Sequence, residues 1–220
     1  GRVCHHNRLA RGRRLEGLQR LRKGQKRVST TRATPTHPVV PNHLNRDFTA
    51  TAPNQKWTAD ITYIPTHQGW LYLAVVLDLF ARRVVGWAMA TDLKQDLVHA
   101  ALQMALVRRK PPAGLLHHSD RGSQYTAHAY QDLLSHHHIL PSMSRTGDCY
   151  DNAPTESFFA TLKSELATPS FGSLAHARSA IFDFIEIWYN RKRRHSSLGF
   201  RAPLDFEALH SPSFLSTISG

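Results

Sequence analysis

The chain has 220 residues, enough for one domain with a core plus extensions, and a formal net charge of +12. Its two cysteines, Cys4 and Cys149, stand in no paired spacing, which argues against a disulfide framework. No apolar run approaches the ~20 residues of a membrane span, and the basic start lacks the apolar core of a signal peptide, so the composition predicts a cytoplasmic protein.

The positive charge is concentrated at the start of the chain. Residues 1–46 carry 12 Lys or Arg against one acid, whereas residues 47–220 carry 16 Lys or Arg against 15 acids. Such a basic arm favours a polyanion as partner, because neutralised phosphates release counterions; a solvated tail without a partner is the alternative. We expect a basic arm and linker over residues 1–52, a catalytic core over 53–190, and a basic segment and tail over 191–220.

The first part of the core favours strands. Residues 57–64 alternate between apolar and polar side chains, and residues 70–77 form a continuous apolar run, typical of a strand buried on both faces. A third strand is expected at residues 84–89. The connections are short, so these three strands are predicted to form an antiparallel meander. Residues 92–109 then have helical spacing, and Pro111 and Pro112 end that helix.

The second part alternates strands and helices. We predict a strand at 114–118, a helix at about 126–137, a strand near 139–140, a helix with Pro154 in its first turn, and a helix at 173–190. The order of elements predicts an α/β fold, in which helices flank a five-stranded sheet of mixed direction.

Three acidic residues occupy suggestive places in this order. Asp60 lies within the first strand, Asp120 follows the fourth strand, and Glu156 opens the helix after Pro154. Parallel neighbouring strands would place Asp60 and Asp120 side by side, and carboxylate oxygens suit hard divalent cations. Each residue alone has an ordinary explanation, as a strand-end acid or a favourable charge at a helix N-terminus. Together they predict magnesium-assisted phosphoryl transfer, with two ions about 3.5–4 Å apart.

Four sequence segments carry a family resemblance. WTADITYI (57–64), HSDRGSQY (118–125), DNAPTESFFATLKSE (151–165) and YNRKRRHSSLG (189–199), the last followed by Pro203, resemble the insertion-sequence transposases with a DDE integrase core. The 35 residues between Asp120 and Glu156 also match the downstream-frame product of the two-frame, copy-out-and-paste group. The resemblance covers roughly residues 39–206.

The resemblance implies a ribonuclease-H-like core that uses Mg²⁺ or Mn²⁺ at the ends of its own mobile element. It carries the metal-ligand roles onto Asp60, Asp120 and Glu156. One strand would be cut to free a 3′-hydroxyl, which then attacks another phosphodiester. The implied partners are the terminal inverted repeats, target DNA, at least one further copy of the chain, and an upstream-frame protein with a helix-turn-helix. The implied location is the bacterial cytoplasm, in association with the nucleoid.

Basic residues in two places are candidate DNA contacts. Lys163 lies seven residues after Glu156 and therefore on nearly the same helical face, where the family pattern also has a basic residue. It would contact the terminal DNA; a solvated surface lysine is the alternative. The run Arg191, Lys192, Arg193 and Arg194 is either a second DNA contact or a solvated charge run.

Two other functions stay open. A DNA-binding remnant could keep the fold without catalysis, although the three acids argue against that reading. A ribonuclease or resolvase on the same fold is the other option, and the segment 189–199 disfavours it. The chain begins with Gly1 rather than Met, and we expect residues 1–46 to be the remainder of a longer N-terminal region.

Overall fold

The structure is a computed structural model that describes residues 40–145, 149–166 and 170–210. Most of the predicted basic arm and the end of the predicted tail lie outside the described residues. Gly147 also lies outside the described residues. No helix within the described ranges is long and apolar enough to span a membrane.

A mixed sheet of five strands, in the order β3-β2-β1-β4-β5, forms the centre of the fold. The antiparallel meander consists of β1 (Lys56–Thr66), β2 (Gly69–Asp78) and β3 (Arg83–Ala90), as predicted. The shorter strands β4 (Leu116–Ser119) and β5 (Leu140–Met143) run parallel to β1. The predicted strand content and mixed direction are therefore confirmed, with small differences at the strand ends.

Six α-helices accompany the sheet in the described part of the chain: α1 (Gln95–Arg109), α2 (Ser123–Thr126), α3 (His128–His136), α4 (Ala153–Glu165), α5 (Leu174–Phe182) and α6 (Pro203–Leu209). Short 3-10 turns occupy Cys149–Asn152 and Ser196–Leu198. Two predicted helices differ from the structure. The one at about 126–137 begins at His128, because Ala127 has an extended backbone and separates it from α2. The one at 173–190 changes at Asp183 into a π-helical turn, Asp183–Tyr189.

Apolar side chains are buried on both faces of the sheet. On one face, Leu73 and Val75 of β2 join a cluster with Phe158 and Leu162 of α4 and with α5. On the other face, the alternate residues of β2 join a cluster with α1 and α3. Because β2 is covered on both sides, its sequence is continuously apolar. The neighbouring strand β3 packs closely against α1. A Cβ added at Gly86 of β3 would lie 2.2 Å from the Ala101 carbonyl oxygen of α1.

The segment after Tyr189 returns to the sheet rather than leaving it. Glu207 of α6 forms ion pairs with Arg83, at 2.8 Å, and with Arg109. The Leu204 backbone N–H donates to the Asn190 carbonyl. These contacts hold α6 against the turn between β2 and β3 and the end of α1. The predicted boundary at residues 190 and 191 stays a prediction, although this segment packs on the body.

Candidate active site

The sheet register brings Asp60 and Asp120 to the same level of the sheet. β1 and β4 pair in parallel with Thr58 opposite His118, so Asp60 and Asp120 each lie two residues farther along neighbouring chains. β4 ends at Ser119, and β1 extends past Thr58, its last residue paired with β4, before Thr66 bridges Phe171 on that side. The Asp60 carboxyl group therefore lies where the sheet opens, just beyond the end of a parallel strand.

Glu156 reaches the same region from α4. It lies in the first turn of that helix, next to Thr155, whose hydroxyl is hydrogen-bonded to the Thr58 hydroxyl at 2.7 Å. Asn152 adds a second tie, because its side-chain amide donates to the Ala59 carbonyl at 3.1 Å. Two buried contacts thus hold the start of α4 against the part of β1 that precedes Asp60.

Electrostatics show that the three acidic groups lie near one another. The pKa of Asp60 is raised from 3.8 to about 8, first by its burial and then by the negative charge of Asp120. Glu156 raises the pKa further, whereas the Ile61 backbone N–H and the charge of Lys163 lower it. All three acidic side chains stay partly exposed, so a ligand from solvent can reach them.

The carboxyl groups are not arranged as a finished metal site. Asp60 Oδ1 accepts the Ile61 backbone N–H at 2.7 Å, and Asp120 Oδ1 accepts the Gly122 backbone N–H at 2.9 Å. Within the described ranges, no three His, Cys, Asp or Glu side chains are grouped so that they could hold a metal ion. Like charges repel one another, which favours these separate contacts over convergence.

The donor set nevertheless fits a hard divalent cation. All three side chains offer carboxylate oxygens, the ligand type that Mg²⁺ and Mn²⁺ prefer. The raised pKa of Asp60 shows that negative charge at this position is poorly compensated by the protein. A cation among these groups would supply the missing compensation. The predicted ligand set of Asp60, Asp120 and Glu156 stays a prediction that this electrostatic balance supports.

Lys163 lies beside this acidic region. Its Nζ is 4.9 Å from the centroid of the Tyr63 ring, and its charge acts favourably on Asp60. The side chain is exposed, whereas Phe158, Phe159 and Leu162 of the same helix are buried. Lys163 is therefore on the face of α4 that is open to solvent, within electrostatic range of the acidic groups.

The predicted basic run occupies a different place. It follows the π-helical turn, where Arg191 Nε donates to the Glu186 carbonyl at 3.0 Å. The Arg193 guanidinium lies over the rings of Trp188 and Tyr189, at 5.5 and 6.0 Å. The side chains of Lys192 and Arg194 are exposed.

Comparisons with known proteins agree with this geometry. Two family profiles described as integrase core domain match residues 50–149 and 137–203. The chain is 48% identical over 209 residues to the uncharacterized 31 kDa protein of insertion element IS600 from Shigella sonnei, a match that covers 94% of this chain and 76% of that protein. The chain belongs to the insertion-sequence transposases with an integrase core.

A second relative places the chain among proteins already named transposases. It is 50% identical over 171 residues to transposase InsF of insertion sequence IS3A from Escherichia coli K12. That match covers 77% of this chain and 59% of the relative. The chain therefore spans less than two thirds of the IS3A transposase and about three quarters of the IS600 protein.

Solved structures identify the fold as that of a retroviral integrase catalytic core, the ribonuclease-H-like fold predicted from the sequence. The HTLV-2 integrase catalytic core domain in complex with magnesium aligns with a TM-score of 0.56 over 72% of this chain and 99% of that one. The simian T-cell lymphotropic virus intasome aligns with a TM-score of 0.61 over 82% of this chain and 62% of that one. Identity is 17% in both, so these likenesses concern the fold.

Other polar residues near the transposase site have structural partners. His117 contacts the Tyr130 hydroxyl at 3.1 Å, and His118 contacts the Ser142 and Ser144 hydroxyls at 2.8 and 3.1 Å. Burial lowers the pKa of His117 to about 3 and that of His118 to about 4, so both are neutral at pH 7. Their proximity in sequence to Asp120 therefore indicates packing, not a hydrolytic triad.

Asp151 is a structural acid that sequence reasoning did not assign to the site. Its side chain is fully buried, and it pairs with Arg46 at 3.0 Å and Arg145 at 2.9 Å and accepts the Asn42 amide at 2.8 Å. These bonds hold its pKa well below the usual range, chiefly through Arg145. They tie residues before β1 and after β5 to the start of α4, and so position Glu156. Its partners Asn42 and Arg46 are 109 and 105 residues away in sequence, so no local pattern indicated these contacts.

Asp151→Ala is expected to lower the free energy of unfolding by about 2 kcal/mol, because it removes a buried carboxylate that accepts hydrogen bonds from Asn42, Arg46 and Arg145. Urea denaturation followed by circular dichroism measures the change. Asp132→Ala, at an exposed position of α3, is the matched control and should shift stability by less than about 0.5 kcal/mol. Equal stability of the two variants would contradict the anchoring role of Asp151.

Proposed function

We propose that this chain cuts and joins DNA at the ends of an insertion element by phosphoryl transfer that depends on two divalent cations, Mg²⁺ or Mn²⁺. The observation that carries the proposal is the electrostatic grouping of Asp60, Asp120 and Glu156 at the open end of parallel strands in an integrase-core fold. Membership in the insertion-sequence transposases supports the same reaction class.

Asp60, Asp120 and Glu156 would hold the cations. When bound, the cations would activate the attacking oxygen and neutralise the charge that develops at phosphorus. Cutting forms a bond between a water oxygen and phosphorus and breaks the bond from phosphorus to the 3′-oxygen. In joining, the freed 3′-hydroxyl attacks a second phosphodiester and displaces that strand's 3′-oxygen. Lys163 would hold a phosphate of the terminal DNA next to the reacting group.

The partners follow from the reaction. Joining requires two element ends and a target, so we propose at least a dimer that binds both ends. The upstream-frame protein with a helix-turn-helix would supply recognition of the inverted repeats. A location at the bacterial nucleoid belongs to the same proposal, since the substrate is chromosomal DNA.

The test uses the chain with precut duplexes that carry the element's own ends. We expect joined products in Mg²⁺ or Mn²⁺ and none in EDTA, with products resolved on denaturing gels. A catalytically inactive DNA-binding remnant would bind the same duplexes and yield no product in either metal. That result would overturn the proposed function in favour of the alternative.

Lys163→Ala is expected to weaken binding to element ends and to reduce the salt slope, d log K/d log[salt], by about 1, because one phosphate contact is lost. Fluorescence anisotropy at several salt concentrations in EDTA measures both quantities. Lys94→Ala removes an exposed lysine that pairs with Asp92, so it is the control and should leave the slope unchanged. If the two variants behave alike, Lys163 is a surface lysine without a DNA role.

A further inference from the structure

Three cationic or potentially cationic side chains surround the buried ring of Tyr189. The His195 ring lies against it, with centroids 5.2 Å apart, and the Arg193 guanidinium is 6.0 Å from its centroid. Arg82 lies in the turn between β2 and β3, and its charge acts on the pKa of both Tyr189 and His195. We call Arg82, Arg193 and His195 the Tyr189 cluster.

A tertiary contact builds this cluster. The Val84 backbone N–H donates to the Asn190 side-chain oxygen, and the Asn190 amide donates to the Val84 carbonyl, both at 3.0 Å. Arg82 is two residues before Val84, and Tyr189 is next to Asn190. The paired bonds therefore fix the β2–β3 turn beside the end of the π-helical turn, and the cluster is part of the folded body.

The Tyr189 cluster holds positive charge without a matching acid. Its neighbour Arg83 pairs with Glu207, as does Arg109, whereas Arg82 and Arg193 form no ion pair with any residue that the structure describes. Burial first, and then the charges of Arg193 and Arg82, lower the pKa of His195 to about 4. The cluster thus disfavours a further positive charge and would be stabilised by an anion.

Two buried nitrogen atoms add a second observation. Arg193 Nε and His195 Nε2 have no hydrogen-bond partner in the described part of the chain. Buried polar atoms without hydrogen-bond partners are uncommon and costly. The residues that bear them are only partly buried, so a small shift of either side chain would bring its nitrogen to a ligand at the surface.

We propose that the Tyr189 cluster is a phosphate-binding site that takes a backbone phosphate of DNA. Guanidinium groups match phosphate oxygens in geometry and charge, and the stack on Trp188 and Tyr189 holds Arg193 in place for that contact. A neutral His195 can donate one N–H to the same phosphate. The exposed Lys192 and Arg194 continue the positive surface, which suits a polyanion better than a small ion.

The assignment rests on the proposed function and adds a contact remote from the acidic residues. Asp60 is opposite Val75 in β2, and Arg82 lies beyond the end of that strand. At about 3.4 Å per residue along a strand and about 4.8 Å between strands, the cluster is roughly 15 Å from Asp60. The phosphate bound there would belong to a nucleotide several positions from the bond that reacts.

The test compares Arg82→Gln and Arg82→Lys with Lys110→Gln. Arg82 and Lys110 both have positive φ, 55° and 43°, so each exchange keeps an L-residue in a left-handed position and changes mainly the side chain. Binding of the chain to duplex DNA is measured by anisotropy in EDTA over a range of salt. We expect Arg82→Gln to lose about tenfold in affinity and about 0.9 in salt slope, and Arg82→Lys to keep the slope.

Thermal unfolding gives an independent readout. At matched ionic strength, a short duplex should raise the Tm of the wild-type chain more than that of Arg82→Gln, whereas Lys110→Gln should respond as the wild type does. Unchanged affinity and slope in a folded Arg82→Gln would overturn the assignment. The assignment would also be overturned if inorganic phosphate raised the Tm but the wild-type chain and Arg82→Gln bound DNA with the same affinity. Neither measurement requires strand joining. If the metal-dependent reaction failed, these measurements would still decide whether the Tyr189 cluster binds DNA.

Discussion

Asp120→Asn is expected to reduce Mg²⁺-dependent strand joining by about 1000-fold or more while DNA affinity changes by less than about twofold. A bound metal ion would stabilise transition-state charge by several kcal/mol, and a carboxylate that holds it is needed for that effect; about 1.4 kcal/mol corresponds to tenfold in rate. Asn keeps the size of the side chain and an oxygen that can accept the Gly122 backbone N–H, so the turn after β4 should survive. We therefore expect the substitution to lower the rate of strand joining and to leave the fold intact.

Rates on precut ends, measured at saturating DNA, separate this loss from a loss of binding. Asp132→Asn, at an exposed position of α3, is the control and should join ends at the wild-type rate. Joining that persists in Asp120→Asn would remove this residue from the mechanism. A drop in Tm together with weaker DNA binding would instead show that the substitution damages the fold.

The sheet could be predicted from the sequence because its signals are local. Alternation in β1, a continuous apolar run in β2 and short connections define an antiparallel meander within about 35 residues. The same logic placed Asp60 and Asp120 at one level, because parallel neighbours bring their ends together. Predicting that these two residues lie side by side thus required only the order of the strands.

Helix boundaries were less predictable because they depend on tertiary contacts. Ala127 has no local signal for the extended backbone that separates α2 from α3. The π-helical turn is a similar case. It begins at Asp183 within a continuous helical pattern and orients Tyr189 and Asn190 toward the sheet, where Asn190 bonds Val84.

Long-range contacts also hid the residues that position the site. The Thr58–Thr155 hydrogen bond joins residues 97 positions apart, and the Asn190–Val84 pair joins residues 106 positions apart. Because this contact joins distant parts of the sequence, the sequence did not predict that Arg82 lies near Arg193. The basic run was predicted as a unit, either a second DNA contact or a solvated charge run, whereas the structure gives Arg193 a stacked, partly buried place and leaves Lys192 and Arg194 exposed.

Asp60→Asn is expected to stop strand joining and, in metal-free buffer near pH 8, to stabilise the fold. The folded-state pKa of Asp60 is raised from 3.8 to about 8, so the folded chain binds this proton more tightly than the unfolded chain does. The stability that this group contributes is fully present below pH 4 and is lost as the pH rises toward 8. Asn carries no such charge, and its variant should lack this part of the pH dependence.

Differential scanning fluorimetry between pH 5 and 8, with EDTA or with Mg²⁺, measures both effects. The gain at pH 8 should be roughly 1–2 kcal/mol after solvent screening, or about 2–4 °C in Tm for each kcal/mol. Mg²⁺ should raise the Tm of the wild type, because a cation that binds the folded carboxylates stabilises them by mass action. An equal Mg²⁺ response in Asp60→Asn and in Asp132→Asn would show that Asp60 does not hold the cation, since only the first variant removes a proposed ligand.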